Sequence, residues 1–378
     1  MTNPNIPTPE NHNLISVQEV EERTSAALRH AVEAVTGDPD QDPLAVFPAP
    51  KGRREDLEFT LSPDREPHFR QAMAELGIGR ETNRPASELG LKPGYAAIIE
   101  GGQAHKIKAE INLVAEDIQP GFIFLAGMPK RDLSDAERQT TSQTLETPID
   151  TVPDNEYDMI KVLAKYIPGF SPEDEQVLQG SYDTEKHRVT DEPSGQFVRI
   201  GNADGVPVIL LRLDRDTYVD DQGEEKNRQP GPTGTLTIVD NYLKLHDDKH
   251  TPIGFVTSAT YQPSREVDAV KVVAKTGRII HVPTYGTAEM ALVRKQPIAE
   301  PPAINQLAGE ANKAAVAPGK LRHVTGLLDR LKELDERDIE LDNQAKDDQL
   351  LSDVGFYSDM IATNHEERRK IKAELGIE

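Results

Sequence analysis

Apolar positions change their spacing repeatedly along this chain, and each change marks an element. Four short unbroken apolar runs have the pattern of strands buried on both faces: Ala96-Ala97-Ile98-Ile99, Phe122-Ile123-Phe124-Leu125, Ile253-Gly254-Phe255-Val256 and Ile279-Ile280-His281-Val282. Between them the spacing becomes helical. Ile107, Ile111, Val114 and Ile118 form one face; Met159, Leu163 and Tyr166 another, over 155–167; Val267, Val270 and Ala274 a third, over 264–275. Phe197–Ile200 and Val206–Leu213 flank Asn202-Ala203-Asp204-Gly205 and predict a hairpin. Strands alternating with amphipathic helices predict an α/β fold, a Rossmann-like, mostly parallel sheet with helices on both faces.

Outside this centre the texture differs. A proline-bearing tail (1–15) precedes a helix with capping-box spacing at Ser16 and Glu19, apolar positions at Val17, Val20, Leu28, Ala31 and Val35, and a stop at Gly37 and Pro39. The implied organisation is an N-terminal tail, helical arm and linker (1–50), a charged lead-in (51–90) with a short helix near 67–76, and the α/β domain (91–295). Within that domain, 170–232 reads as a polar insertion. An Ala- and Pro-rich linker (296–319) and a C-terminal helical hairpin (320–378) follow. Leu327, Leu331, Leu334 and Leu341 give the first hairpin helix a seam, and Leu350, Val354, Tyr357 and Ile361 the second. Such a hairpin packs on the core or on another subunit, making a homo-oligomer through the terminal helices an expectation.

Composition narrows the chemistry. The 378 residues hold 65 acidic and 43 basic side chains, a formal charge of −22, which disfavours general binding to nucleic acid or anionic lipid. No cysteine is present, removing disulfides, thiolate nucleophiles and Cys-based metal sites. The N-terminus lacks signal-peptide features, and no stretch approaches the roughly 18 apolar residues of a membrane span, so a cytoplasmic protein is expected.

Ligands of open parallel sheets bind beyond the carboxyl ends of the strands. Three strand ends carry suitable residues: Gly101-Gly102-Gln103-Ala104-His105-Lys106, Ala126-Gly127-Met128-Pro129-Lys130-Arg131, and Thr257-Ser258-Ala259-Thr260-Tyr261 continuing to Arg265. Glycines admit a ligand close to the backbone, a helix start favours an anion, and hydroxyls with Arg supply donors. Each stretch also reads as an ordinary turn or cap. The first is not a GxGxxG fingerprint, and neither a Walker loop nor a Gly-x-Ser-x-Gly elbow occurs. Asp214, Asp216, Asp220, Asp221 and Gly223 lack EF-hand order and read as a solvated loop. His246 and His250 read as surface histidines and His281 as a packed one, so no metal site is expected.

In order, these segments resemble the YdcF/ElyC/SanA-like family of bacterial Rossmann-like domains. That pattern runs through a Gly-rich turn and a basic residue (Gly101, Gly102, Lys106), a strand ending in Gly (Gly127), and a helix with an acid and Met (Glu156, Met159). It ends with a Thr-Ser segment and nearby Arg (Thr257, Ser258, Arg265), then a strand closed by Pro283. The resemblance covers about 200 residues and departs in three places. Tyr261 stands where the family has His, Arg265 sits about one residue late, and 170–232 is longer and more acidic. It implies binding of a nucleotide, phosphate or S-adenosylmethionine-like ligand by Gly101, Gly102, Lys106, Gly127, Thr257, Ser258, Tyr261 and Arg265. Glu156 is then the candidate general base of a transferase or hydrolase. The alternative is a degenerate, non-catalytic domain serving as an interaction module. Family members are often membrane-anchored, an association that this chain's lack of an apolar span does not carry over.

Overall fold

The computed structural model describes residues 17–47, 59–78, 82–129, 131–178, 195–213, 216–219, 225–228, 232–245, 250–294, 304–347 and 363–372. The chain is an α/β protein built on an eight-stranded mixed sheet. Its strands are β1 (Ala96–Glu100), β2 (Phe122–Gly127), β3 (Phe170–Val177), β4 (Gly195–Ala203), β5 (Val206–Leu213), β8 (Ile253–Ser258), β9 (Ile280–His281) and β10 (Thr284–Tyr285). A separate hairpin of β6 (Asp216–Val219) and β7 (Glu225–Arg228) completes the set. The order is β10-β8-β1-β2-β5-β4-β3, with β9 also on β8; all pairs are parallel except β5-β4-β3.

Alternation along each strand sends side chains to opposite faces. Ala97, Ile99, Ile123, Leu125, Val208 and Leu210 share one apolar layer with α4 (Ala104–Ala115), α5 (Asp135–Leu145) and α6 (Glu156–Leu163). Met290 and Val293 of α9 (Thr287–Arg294) pack against the same layer. Ala96, Ile98, Phe124, Ile209, Leu211 and Phe255 face the other way, against α7 (Pro232–Leu245) and α8 (Gln262–Thr276). The four unbroken apolar runs are thus the strands around β8, β1 and β2, where helices cover both faces.

A third core lies outside the sheet. Ala27, Leu28, Ala31 and Val32 of α1 (Val17–Thr36) pack with Phe69, Ala72 and Met73 of α3 (Glu66–Glu75). The first turns of α10 (Ile304–Asp347) complete it with Leu307, Ala308, Ala311 and Ala314. Phe47, just after the short α2 (Pro43–Val46), is fully buried there and lies 5.8 Å from the Phe69 ring. Further on, α10 pairs with the helix at 363–372 through Arg330–Glu367 (2.8 Å) and Arg368–Asp338 (2.7 Å).

Three expected boundaries change. Within 170–232, residues 170–177 and 195–213 belong to the sheet rather than to an excursion: β5 pairs with β2, and β4 and β3 extend the sheet from it. The segment's polar texture arises because β3 is an exposed edge strand bearing Glu173, Asp174 and Glu175, charges that discourage further pairing. The expected linker at 296–319 is helical from Ile304, since its alanines are helix formers whose small side chains admit close packing on α1. The first hairpin helix therefore begins at Ile304 rather than 320, and the second is described only over 363–372. Ser16, Lys130, His246, Leu350, Val354, Tyr357, Ile361 and most of the acidic 214–223 stretch lie outside the described residues.

Candidate functional site

Strand order locates the crevice. From β1 the chain moves through β2 to β5 on one side, then crosses to β8 and β10 on the other, so the order reverses between β1 and β8. Turns leaving neighbouring strands there diverge to opposite faces, opening a crevice at the carboxyl edge. Gly101–Lys106 leads from β1 into α4, and Ala259–Arg265 leads from β8 into α8. β2 and β10 bring Gly127 and Tyr285 to the same edge. The three stretches singled out in the sequence therefore do meet.

Their roles differ from a simple glycine cradle. Asn155 caps α6 by accepting the Asp158 N–H (2.9 Å), which sets Glu156 at the first helical position. The Glu156 carboxylate then lies against Gly101, where an added Cβ would stand 2.7 Å from it. Gly127 is likewise pressed by α6, its Cβ position being 2.8 Å from Ile160 Cδ1 and 3.2 Å from Tyr157 Cα. Both glycines admit a helix rather than a ligand. Gly102 alone faces open space.

Glu156 is 2% exposed and accepts from Arg131 Nη1 (2.9 Å) and the Met128 N–H (3.2 Å). Burial pushes its carboxyl up to about 7; Arg131 and the Met128 N–H oppose the rise, while Glu100 and Glu137 add to it. Arg131 also pairs with Glu137, which shares a capping box with Ser134 at the start of α5.

Across the crevice, Arg265 Nη2 donates to Glu100 at 2.7 Å and its guanidinium lies over the Phe255 ring. Arg265 is therefore committed to a carboxylate, contrary to its expected role as an open anion ligand. Lys106 Nζ sits 5.5 Å from the centre of the Tyr261 ring, a cation–π contact that spans the same gap. Thr257 is buried, with its backbone N–H bonded to Pro283 (3.0 Å). Ser258 caps the following turn by accepting the Thr260 N–H (3.3 Å).

Beneath these groups lie residues that the sequence reading passed over. Glu110 of α4 is buried, Oε2 without a hydrogen-bond partner, and is held well above the usual carboxylate range by burial and by Glu100, with Arg265 and Lys106 opposing. Glu100 is raised by burial and by Asp268 against the pull of Arg265. The Tyr285 hydroxyl lies near Glu110 and Ser258, without a hydrogen bond of ordinary geometry. His105 accepts from Arg294 of α9 through Nε2 (2.6 Å). Because guanidinium only donates, Nδ1 must carry the ring proton, and it finds no acceptor. Burial, with Arg294 and Lys106 nearby, pushes the imidazole down to about 3, so it is neutral at physiological pH.

A signal for two of these acids exists in the sequence. Glu110 falls on the apolar face of α4, three residues after Ile107 and four before Val114, and Glu100 ends an otherwise apolar strand. Among the described residues no group of three or more His, Asp or Glu is placed to hold a metal, and no helix is long and apolar enough to cross a membrane.

No family model, curated protein or solved structure matches the chain. The resemblance drawn from Gly101, Gly127, Glu156 and Thr257 therefore stands on those residues alone.

Proposed function

We propose that the crevice between β1 and β8 binds a small nucleoside-like ligand carrying one anionic group, with Glu156 as its acid–base residue. The observation that carries this reading is the clustering of buried carboxyls where the strand order reverses: Glu156 lies against Gly101 and near Glu100, and Glu110 lies near Glu100, Lys106 and Tyr285. Among the described residues, Arg265 and Arg131 are held by Glu100 and Glu156, whereas Lys106, over the Tyr261 ring, has no carboxylate partner. Hydroxyl or amine groups of a nucleoside suit such carboxyls better than bare phosphate does, and Lys106 with the start of α4 suits a single anionic group. S-adenosylmethionine, with a sulfonium and an amine, fits the same balance. A carboxyl that titrates near 7 can donate and accept a proton at neutral pH, as transfer or hydrolysis requires.

Calorimetric titration with adenosine, ADP, S-adenosylmethionine and inorganic phosphate tests the proposal. The nucleoside-bearing probes should bind and phosphate alone should not. Lys106→Ala should weaken ADP by about tenfold while sparing adenosine. Native protein that ignores every nucleoside-bearing probe would remove the basis for the site.

A second reading, an interaction module, is favoured by the ion-paired helices at 330–338 and 364–368. It predicts that deleting residues 320–378 lowers the mass measured in solution by more than the deleted residues weigh. A fall equal to their weight alone removes that reading.

A further inference from the structure

α4 runs from the carboxyl edge of the sheet to its amino edge, and its far end frames a second chamber. The last turn of the helix and the Asp117–Pro120 loop border a half-open cavity of about 320 Å³ at the amino edge of the parallel strands, opposite Gly101. Ile111 and Val114 of α4 form one wall, Ile123 and Ile99 another, and Ile167 and Val206 contribute further apolar surface. This size matches small-molecule sites, in which apolar walls are joined by a few polar groups that set the specificity.

The charged groups among them are acidic, beside the neutral Gln119. Asp117 and Asp204 reach the lining, and no cation pairs with either among the described residues. The Asp117 carboxylate accepts one backbone N–H, from Ser87 at 2.9 Å, and leaves its other oxygen available. Asp204, at the β4–β5 turn, is exposed. α4 also ends at this chamber, so its last carbonyls present the negative pole of the helix to the space that Val114 and Ala115 border. Apolar walls, two carboxylates and a negative helix pole all select the same chemistry.

We propose that this cavity is a second ligand site, independent of the β1–β8 crevice, for a small organic ammonium ion: an aryl-alkyl or alkyl amine whose apolar part fills the Ile/Val chamber and whose charged end meets Asp117 and Asp204.

Titration with phenethylamine, phenethyl alcohol and phenylacetate, equal in shape but different in charge, tests it. The amine should bind saturably and at least tenfold more tightly than the alcohol, with phenylacetate weakest. Two variants localise the binding. In Asp117→Asn/Asp204→Asn the preference for amine over alcohol should vanish; Asn accepts the Ser87 N–H and tolerates the left-handed backbone of residue 204 (φ 49°). Ala115→Trp, at an exposed helix position, should block the chamber and abolish binding of both probes without altering the fold. Equal affinity for amine and alcohol, or amine binding that survives Ala115→Trp, would overturn the assignment.

Discussion

At the scale of single residues, the carboxyl edge is organised around one charge placed where water is scarce. Glu156 in the folded chain holds its proton up to about pH 7, well above the usual carboxylate value. Between about pH 4.5 and 7 the folded chain thus binds more protons here than the unfolded chain, and stability falls as pH rises through that window. The shift corresponds to roughly 3 kcal/mol at most. Glu156→Gln should flatten this fall in chemical-denaturation curves taken across the window; a slope identical to the native protein's would mean that the carboxyl titrates normally. Gly101 belongs to the same argument. Gly101→Ala puts a methyl group into the Glu156 carboxylate and should cost about 1–3 kcal/mol. Adding Glu156→Ala should return part of that loss, whereas fully additive losses would show that the two residues do not press on each other.

Elements show what the sequence could and could not disclose. The strands were legible because both of their faces are buried, leaving β1, β2 and β8 as unbroken apolar runs that need no knowledge of their neighbours. The turns after them were legible for the same reason, since polar Glu100 and Thr257 break the apolar runs just before Gly101 and Ser258. What those turns meet was not legible. A glycine that admits a ligand and one that admits a helix look alike until α6 is placed, and an arginine beside a strand end looks open until Glu100 is placed opposite it. Strand β3 was hidden because an exposed edge has no apolar face to betray it. The Arg265–Glu100 pair makes the point testable. Arg265→Ala should destabilise the protein by about 2–3 kcal/mol through an uncompensated, mostly buried carboxylate, and Glu100→Gln in addition should recover most of it. Thermal melts that show no recovery in the double variant would place the role of Arg265 elsewhere.

Taken whole, the molecule closes on itself at a seam between distant parts of the chain. The core shared by α1, α3 and the first turns of α10 draws on Leu307, Ala308, Ala311 and Ala314, and among the described residues the later part of α10 adds none to it. A chain ending at residue 325 should therefore melt near the intact protein. One ending at 303 should show rapid amide exchange throughout α1 and α3, and protection of α1 in that shorter chain would contradict the packing described. The seam also has a consequence for how the protein is made. Met73 leaves the ribosome about 230 residues before its partner Leu307, a delay of roughly 10–50 s at ordinary elongation rates of about 5–20 residues per second. During that interval α1 and α3 can cover only each other, and the part of their apolar faces that α10 seals stays open. That opening closes only when translation reaches the alanines of α10.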